Sequence, residues 1–257
     1  MDIQFNLRER TVIIAGPFSS TLQNVMIGLT QLGADVAFLD KEANQAVKFC
    51  QNITDQREIN EKQGRAMAVQ VDLSDRAQLK ESISKVAQTF GSIDIYIDAH
   101  LQNSPSPMEL LNDETDIDAL ITRNLKIPLM LTQNIIGYLK GRKRGRILYL
   151  VNQPMLGGAT SDLLAATART GLVQFAKTFA RQIHDLNVTV NVLSVGLTEE
   201  YVLGHYPGTG SIKEAVEKLK AQDPTFKITE PDKITHSVVY LVSQFGNAVS
   251  GQTITLT

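Results

Sequence analysis

One cysteine, Cys50, is all that this 257-residue chain carries. A lone thiol builds neither a disulfide framework nor a thiolate metal site; it suits a reducing, cytoplasmic setting and reads as a small packed or idle group. No run reaches the roughly 18 apolar residues of a membrane span, and the opening "MDIQFNLRER" lacks the apolar core of a signal peptide. The formal net charge is only -2, so nothing draws the whole chain to nucleic acid or to an anionic membrane. The histidines, His100, His184, His205 and His236, show no metal-ligand spacing and read as surface or core-edge residues. No Pro/Gly/Ser-rich linker, internal repeat or low-complexity tract divides the sequence, which leaves a single domain over residues 1–257 as the expectation.

What is present is a strictly alternating pattern. Seven short apolar or β-branched runs read as strands: "TVIIA" from Thr11, "DVAFL" from Asp35, "AMAVQV" from Ala66, "IDIYI" from Ile93, "RILYLV" from Arg146, "VTVNVL" from Val188 and "TITL" from Thr253. Helical segments lie between them, among them "TLQNVMIGLTQLG", "RAQLKESISKVAQTFG", "IDALITRNLKIPLMLTQNIIGYLK" and the one-sided stripe Leu172, Phe175, Ala176, Phe179, Ala180 and Ile183. Alternation of this kind predicts an α/β fold, a doubly wound Rossmann-type parallel sheet of about seven strands with helices on both faces. Ligands then bind beyond the carboxyl ends of the strands, after Ala15, Leu39, Ile97 and Val151. The stretch 198–229 exceeds a simple connection and reads as a small helical lid or insert. The basic run "LKGRKRGR", Leu139 to Arg146, reads as a solvated loop or as a dock for an acidic or phosphate-bearing partner.

In their order and spacing, "LTQLGADVAFLD", "VDLSD", "GSIDIYIDA", "GRILYLV", "TGLVQFAKTFARQI", "VTVNVLSVG" and "VSGQTITL" resemble the short-chain dehydrogenase/reductase family over essentially the whole chain. The resemblance implies a nicotinamide-binding loop T-G-x-x-x-G-x-G, where this chain has "AGPFSSTL". Gly16 is kept, whereas Ser20 and Leu22 stand at the second and third glycine positions. Those glycines admit backbone to the pyrophosphate and helix to strand, and Pro17 removes one loop N–H. Dinucleotide binding by this chain is expected to be weak or absent. Asp40, 24 residues beyond Gly16, and Asp72 match family positions beside the adenosine. The reading of both as ordinary strand-end or turn residues stays open. The family's N-N-A-G is replaced by "DAHL", Asp98 to Leu101, which sets His100 at a cleft edge.

The resemblance also implies a Ser, Tyr and Lys catalytic set with a helix Asn. This chain carries Asn152 at the serine position, Ala165 at the tyrosine and Arg169 at the lysine; only Asn124 matches. Hydride transfer to a ketone leaves an alkoxide that needs a proton, which a methyl group cannot supply and a permanently charged guanidinium cannot shuttle. A phenol relocated to Tyr149, Tyr201 or Tyr206 is the alternative that would preserve chemistry. Family members pair intact with altered chains, as in mixed-subunit ketoacyl reductases and the 2-(α-hydroxybenzyl)succinyl-CoA dehydrogenase type. The expectation is therefore a noncatalytic subunit with no tightly bound cofactor of its own, joined to an active paralogue carrying NAD in an α2β2 assembly. A metabolite sensor using the old cleft, a divergent stand-alone enzyme and a homo-oligomeric scaffold that binds no cofactor are the rival readings.

Overall fold

The computed structural model describes residues 5–57, 62–101, 117–142, 144–152, 163–199, 201–202, 211–222 and 227–256. The expected sheet is present. Strands β1 (Thr11–Ala15), β2 (Asp35–Asp40), β3 (Ala66–Gln70), β4 (Ile95–Asp98), β5 (Gly145–Asn152), β6 (Val188–Val195) and β7 (Thr253–Thr255) form one sheet in the order β3-β2-β1-β4-β5-β6-β7. Every neighbouring pair is parallel. Continuous burial of β1, β5 and β6 follows from helices covering both faces.

Helices α1 (Ser20–Gln31), α2 (Asn44–Arg57) and α8 (Pro231–Val242) cover one face, where Leu22, Val25, Leu29, Cys50, Ile234 and Val238 meet Phe38, Ile97 and Leu148. On the other face α3 (Arg76–Phe90), α5 (Ile127–Leu139) and α6 (Leu163–Gln182) bring Leu79, Leu131, Ile135 and Leu172 onto Tyr96, Ile147 and Tyr149. Local chemistry sets the helix ends. Asp75 caps α3 by accepting from Ala77 N and Gln78 N at 2.8 and 3.1 Å, and Gly91 ends it in the left-handed conformation (φ 82°). Cys50 is buried and its thiol is pushed up to about 12 by that burial, in keeping with a packed, unreactive group.

One expected helix is not continuous. The segment 117–140 divides into α4 (Ile117–Ile121), a π turn (Thr122–Lys126) and α5. Pro128 explains the break, because it lacks the N–H that an α-helix would send to the carbonyl of Asn124 and its ring would crowd that carbonyl. Within the expected insert, α7 (Ile212–Gln222) gathers Val202 and Ala215 into a small apolar cluster of its own. Among the described residues no helix is long and apolar enough to cross a membrane.

Candidate functional site

The strand order reverses between β2-β1 and β4-β5, and a cleft of about 550 Å³ opens there beyond the strand ends. Pro17, Asp40, Asp72, His100, Thr122 and Arg123 are among its lining residues. Asp40 closes β2 half-buried; burial raises its pKa, and backbone N–H groups of Lys41 and Glu42 offset this only in part. Asp72 is committed to a turn. Its Oδ1 accepts from Ser74 N at 3.0 Å and from Ser74 Oγ at 2.6 Å, which holds its carboxyl below the usual range, while Lys41 lies 3.4 Å from Oδ2. Asp40 and Asp72 thus both line the cleft.

The loop after β1 tests whether a dinucleotide fits. Gly16 sits at φ 148°, and a Cβ there would stand 2.4 Å from Ala99 O, so the chain after β4 alone requires a glycine. Phe18 packs edge-on against Phe38 and Phe49, with ring centroids 5.4 and 5.5 Å apart. Ser19 Oγ accepts from Leu22 N at 3.3 Å and caps the α1 amide end that a phosphate would otherwise engage. Ser20 begins α1, and Leu22 is 1% exposed, its side chain filling the helix–sheet layer. Helix capping, aromatic packing and core filling thus engage Ser19, Phe18 and Leu22 of this loop.

Beside this loop lies a buried polar cluster. Arg169, 1% exposed on α6, donates from Nη1 to Asp98 Oδ2 at 3.0 Å, from Nε to Asn124 Oδ1 at 3.3 Å and from Nη2 to the carbonyl of His100. Asp98 at the end of β4 is 0% exposed and also meets His100 Nδ1 at 2.7 Å and Tyr96 OH at 3.2 Å. Burial by itself raises the Asp98 pKa, but His100 and Arg169 outweigh it, and the carboxyl is held below its ordinary value. Asn124 donates to Leu120 O at 3.0 Å from the π turn. Its position brings it to Arg169 in a bond between side chains.

Ala165 is 1% exposed one turn before Arg169, and Asn152 is buried where β5 ends. Of the three tyrosines in the relocated-phenol alternative, Tyr149 is unsuited to the role. It is 0% exposed, bonded to Thr132 Oγ1 at 2.6 Å on the α5 face, and burial drives its pKa far above the ordinary phenol value. Tyr201 is buried within the expected insert; Tyr206 and His205 lie outside the described residues. His184 and His236 are exposed, and no metal-binding group of His, Cys, Asp or Glu occurs among the described residues. Asp98 is the residue that motif reading undervalued. Its signal was available: Tyr96, Asp98 and His100 alternate along the end of a strand and so share one side.

A parallel sheet of this order, with a cleft at its reversal point, defines the dinucleotide-fold class of α/β proteins. Within that class the chain belongs to the short chain dehydrogenase family, whose profile matches residues 10–204. It is 25% identical over 249 residues to (2S)-[(R)-hydroxy(phenyl)methyl]succinyl-CoA dehydrogenase subunit BbsD of Thauera aromatica, covering 96% of this chain and 95% of that one. It is also 25% identical over 184 residues to 3-oxoacyl-[acyl-carrier-protein] reductase FabG of Thermotoga maritima, covering 72% of each chain. Among solved structures, levodione reductase superposes with a TM-score of 0.83 at 18% identity, covering 98% of this chain and 97% of that one. A short chain dehydrogenase of Burkholderia cenocepacia J2315 in complex with NADP gives 0.78 at 21% identity, covering 98% and 97%.

Proposed function

We propose that this chain is a noncatalytic subunit, a pseudoenzyme, of a hetero-oligomeric NAD-dependent short-chain alcohol or 3-hydroxyacyl dehydrogenase. It supports an active paralogous subunit, most simply in an α2β2 assembly, and binds no cofactor tightly itself. The observation that carries this reading is the engagement of Arg169. At the family's lysine position the cation is turned inward onto Asp98, Asn124 and the His100 carbonyl, and one turn before it Ala165 offers no proton. The capped α1 terminus and the packed Phe18 and Leu22 support the same reading. A relative over nearly the full length is, by its name, a dehydrogenase subunit.

Native mass spectrometry on the complex purified gently from its native source tests the proposal. A mixed assembly with a second short-chain dehydrogenase, with nicotinamide carried only by that partner, is the expected result. A homo-oligomer, or turnover by this chain alone, overturns it. One observation favours a second reading, a metabolite or nucleotide sensor: the cleft keeps its volume and the half-buried Asp40. Ligand binding by the lone chain that Asp40→Ala abolishes would establish that instead.

A further inference from the structure

The opposite end of the sheet holds a charge arrangement that the fold leaves incomplete. Arg10 precedes β1, Asp94 precedes β4, and Arg144 and Arg146 flank the first residue of β5. Parallel pairing gathers them at one edge, with Asp94 N donating to Thr11 O and Arg146 N to Asp94 O, each at 3.0 Å. Arg10 and Arg146 are 7% and 2% exposed. Buried cations are ordinarily met by a counter-charge. These are met by neutral acceptors: Arg10 Nη1 donates to Arg144 O at 2.7 Å, and Arg146 donates to Gly145 O at 2.7 Å, to Ser243 O at 3.3 Å and to Asn247 Oδ1. The buried Nε of Arg146 has no acceptor.

Asp94 does not balance them. Its Oδ2 is already taken by Thr11 N at 3.0 Å and Ser92 Oγ at 2.7 Å. Its Oδ1 has no hydrogen-bond partner and lies 3.8 Å from Arg144 Nε, within ion-pair range but beyond a hydrogen bond. Arg144 also reaches the Glu9 carbonyl at 3.4 Å, and with its side chain 39% exposed it opens the cluster to solvent. Burial first, then the charges of Arg144 and Arg146, push the Arg10 guanidinium down to about 10 against the smaller opposing pull of Asp94, so it remains a cation at neutral pH. Set against the Asp94 carboxylate, Arg10, Arg144 and Arg146 leave two positive charges among these four side chains, in a chain whose net charge is -2.

We propose that this edge is an oxyanion site that takes the phosphate monoester of a small molecule, held by Arg10 and Arg144 in the field of Arg146. A phosphate monoester carries about -1.5 to -2 at neutral pH, which matches the surplus, and its oxygens suit guanidinium forks. A single carboxylate would leave half of that surplus standing. The site lies across the sheet from the cleft and stands independently of the subunit proposal.

Inorganic phosphate is the probe, followed by isothermal titration and by thermal unfolding of the full chain against potassium chloride at matched ionic strength. Saturable phosphate binding that raises Tm is expected. Arg144→Gln should weaken it by about tenfold or more, the loss of charge-assisted hydrogen bonds. The Tm of the same variant in phosphate-free buffer reads the structural part separately, because Arg144 both repels Arg10 and faces the buried Asp94 Oδ1. Lys48→Gln, an exposed charge removed from α2, should bind as the parent does. Equal stabilisation of parent and Arg144→Gln by phosphate, or no saturable phosphate binding by the parent, would overturn the site and make the arginines merely structural.

Discussion

At the scale of single residues, the decisive exchange is lysine for Arg169. A guanidinium reaches Asp98, Asn124 and the His100 carbonyl at once through its planar fork, which an ammonium on a flexible stem cannot do. Arg169→Leu leaves the Asp98 carboxylate buried with part of its compensation gone, and should lose about 3–5 kcal/mol in urea unfolding. Arg169→Lys should recover only part of that and should not produce NADH-dependent turnover. Asp98 also sets an acid limit. Its folded pKa is depressed, so the cluster contributes its full stability above the ordinary carboxylate range of about pH 4 and loses it as pH falls through the folded value. Tm should therefore drop steeply for the parent below about pH 4, whereas Asp98→Asn should start lower and show a flatter profile over the same window. The residues at the altered positions could be read from the sequence because they depart from a spaced motif. Their mutual engagement could not, since Asp98 and Arg169 are far apart in the chain and only the fold makes them neighbours.

At the scale of elements, strands were the most legible part and one helix the least. Thr11–Ala15 matches the apolar run that predicts it, and β4 begins at Ile95 rather than Ile93. The break at residues 122–126 carries no signal in apolar spacing, yet Pro128 foretells it once the missing N–H is followed back to Asn124. That turn matters, because it places Asn124 against Arg169. Just beyond it, α5 and α6 leave a groove of about 520 Å³ lined by Leu125, Leu129, Ile136, Phe175 and Phe179, the two phenylalanines stacked with centroids 5.1 Å apart. If paralogous chains meet along these helices, Phe179→Glu should place an unpaired carboxylate in the contact and dissociate the assembly while the far-ultraviolet circular dichroism of the chain stays unchanged. Size-exclusion chromatography with light scattering reads the outcome.

At the scale of the whole molecule, alternation of runs was enough to order the sheet, because parallel crossovers need helices between them and apolar strands need cover on both faces. What the fold does with a nicotinamide is a separate question, and mass action gives it a number. A ligand that binds only the folded chain stabilises it by about 0.4 kcal/mol at a concentration equal to its Kd and by about 2.7 kcal/mol at a hundredfold excess. For a chain of this size each kcal/mol moves Tm by about 2–4 °C. Micromolar binding would therefore announce itself at millimolar NAD as a rise well above 5 °C. With Ser19 capping the α1 terminus and Leu22 filling the helix–sheet layer, the lone chain should shift by less than about 1 °C. A mixed assembly of the kind proposed should shift as a unit, since a partner's binding energy is shared with every subunit whose unfolding breaks the interface. A large rise for the lone chain would instead mean that the loop rearranges to admit the pyrophosphate, and Phe18→Ala, which frees that loop from Phe38 and Phe49, would then raise affinity further.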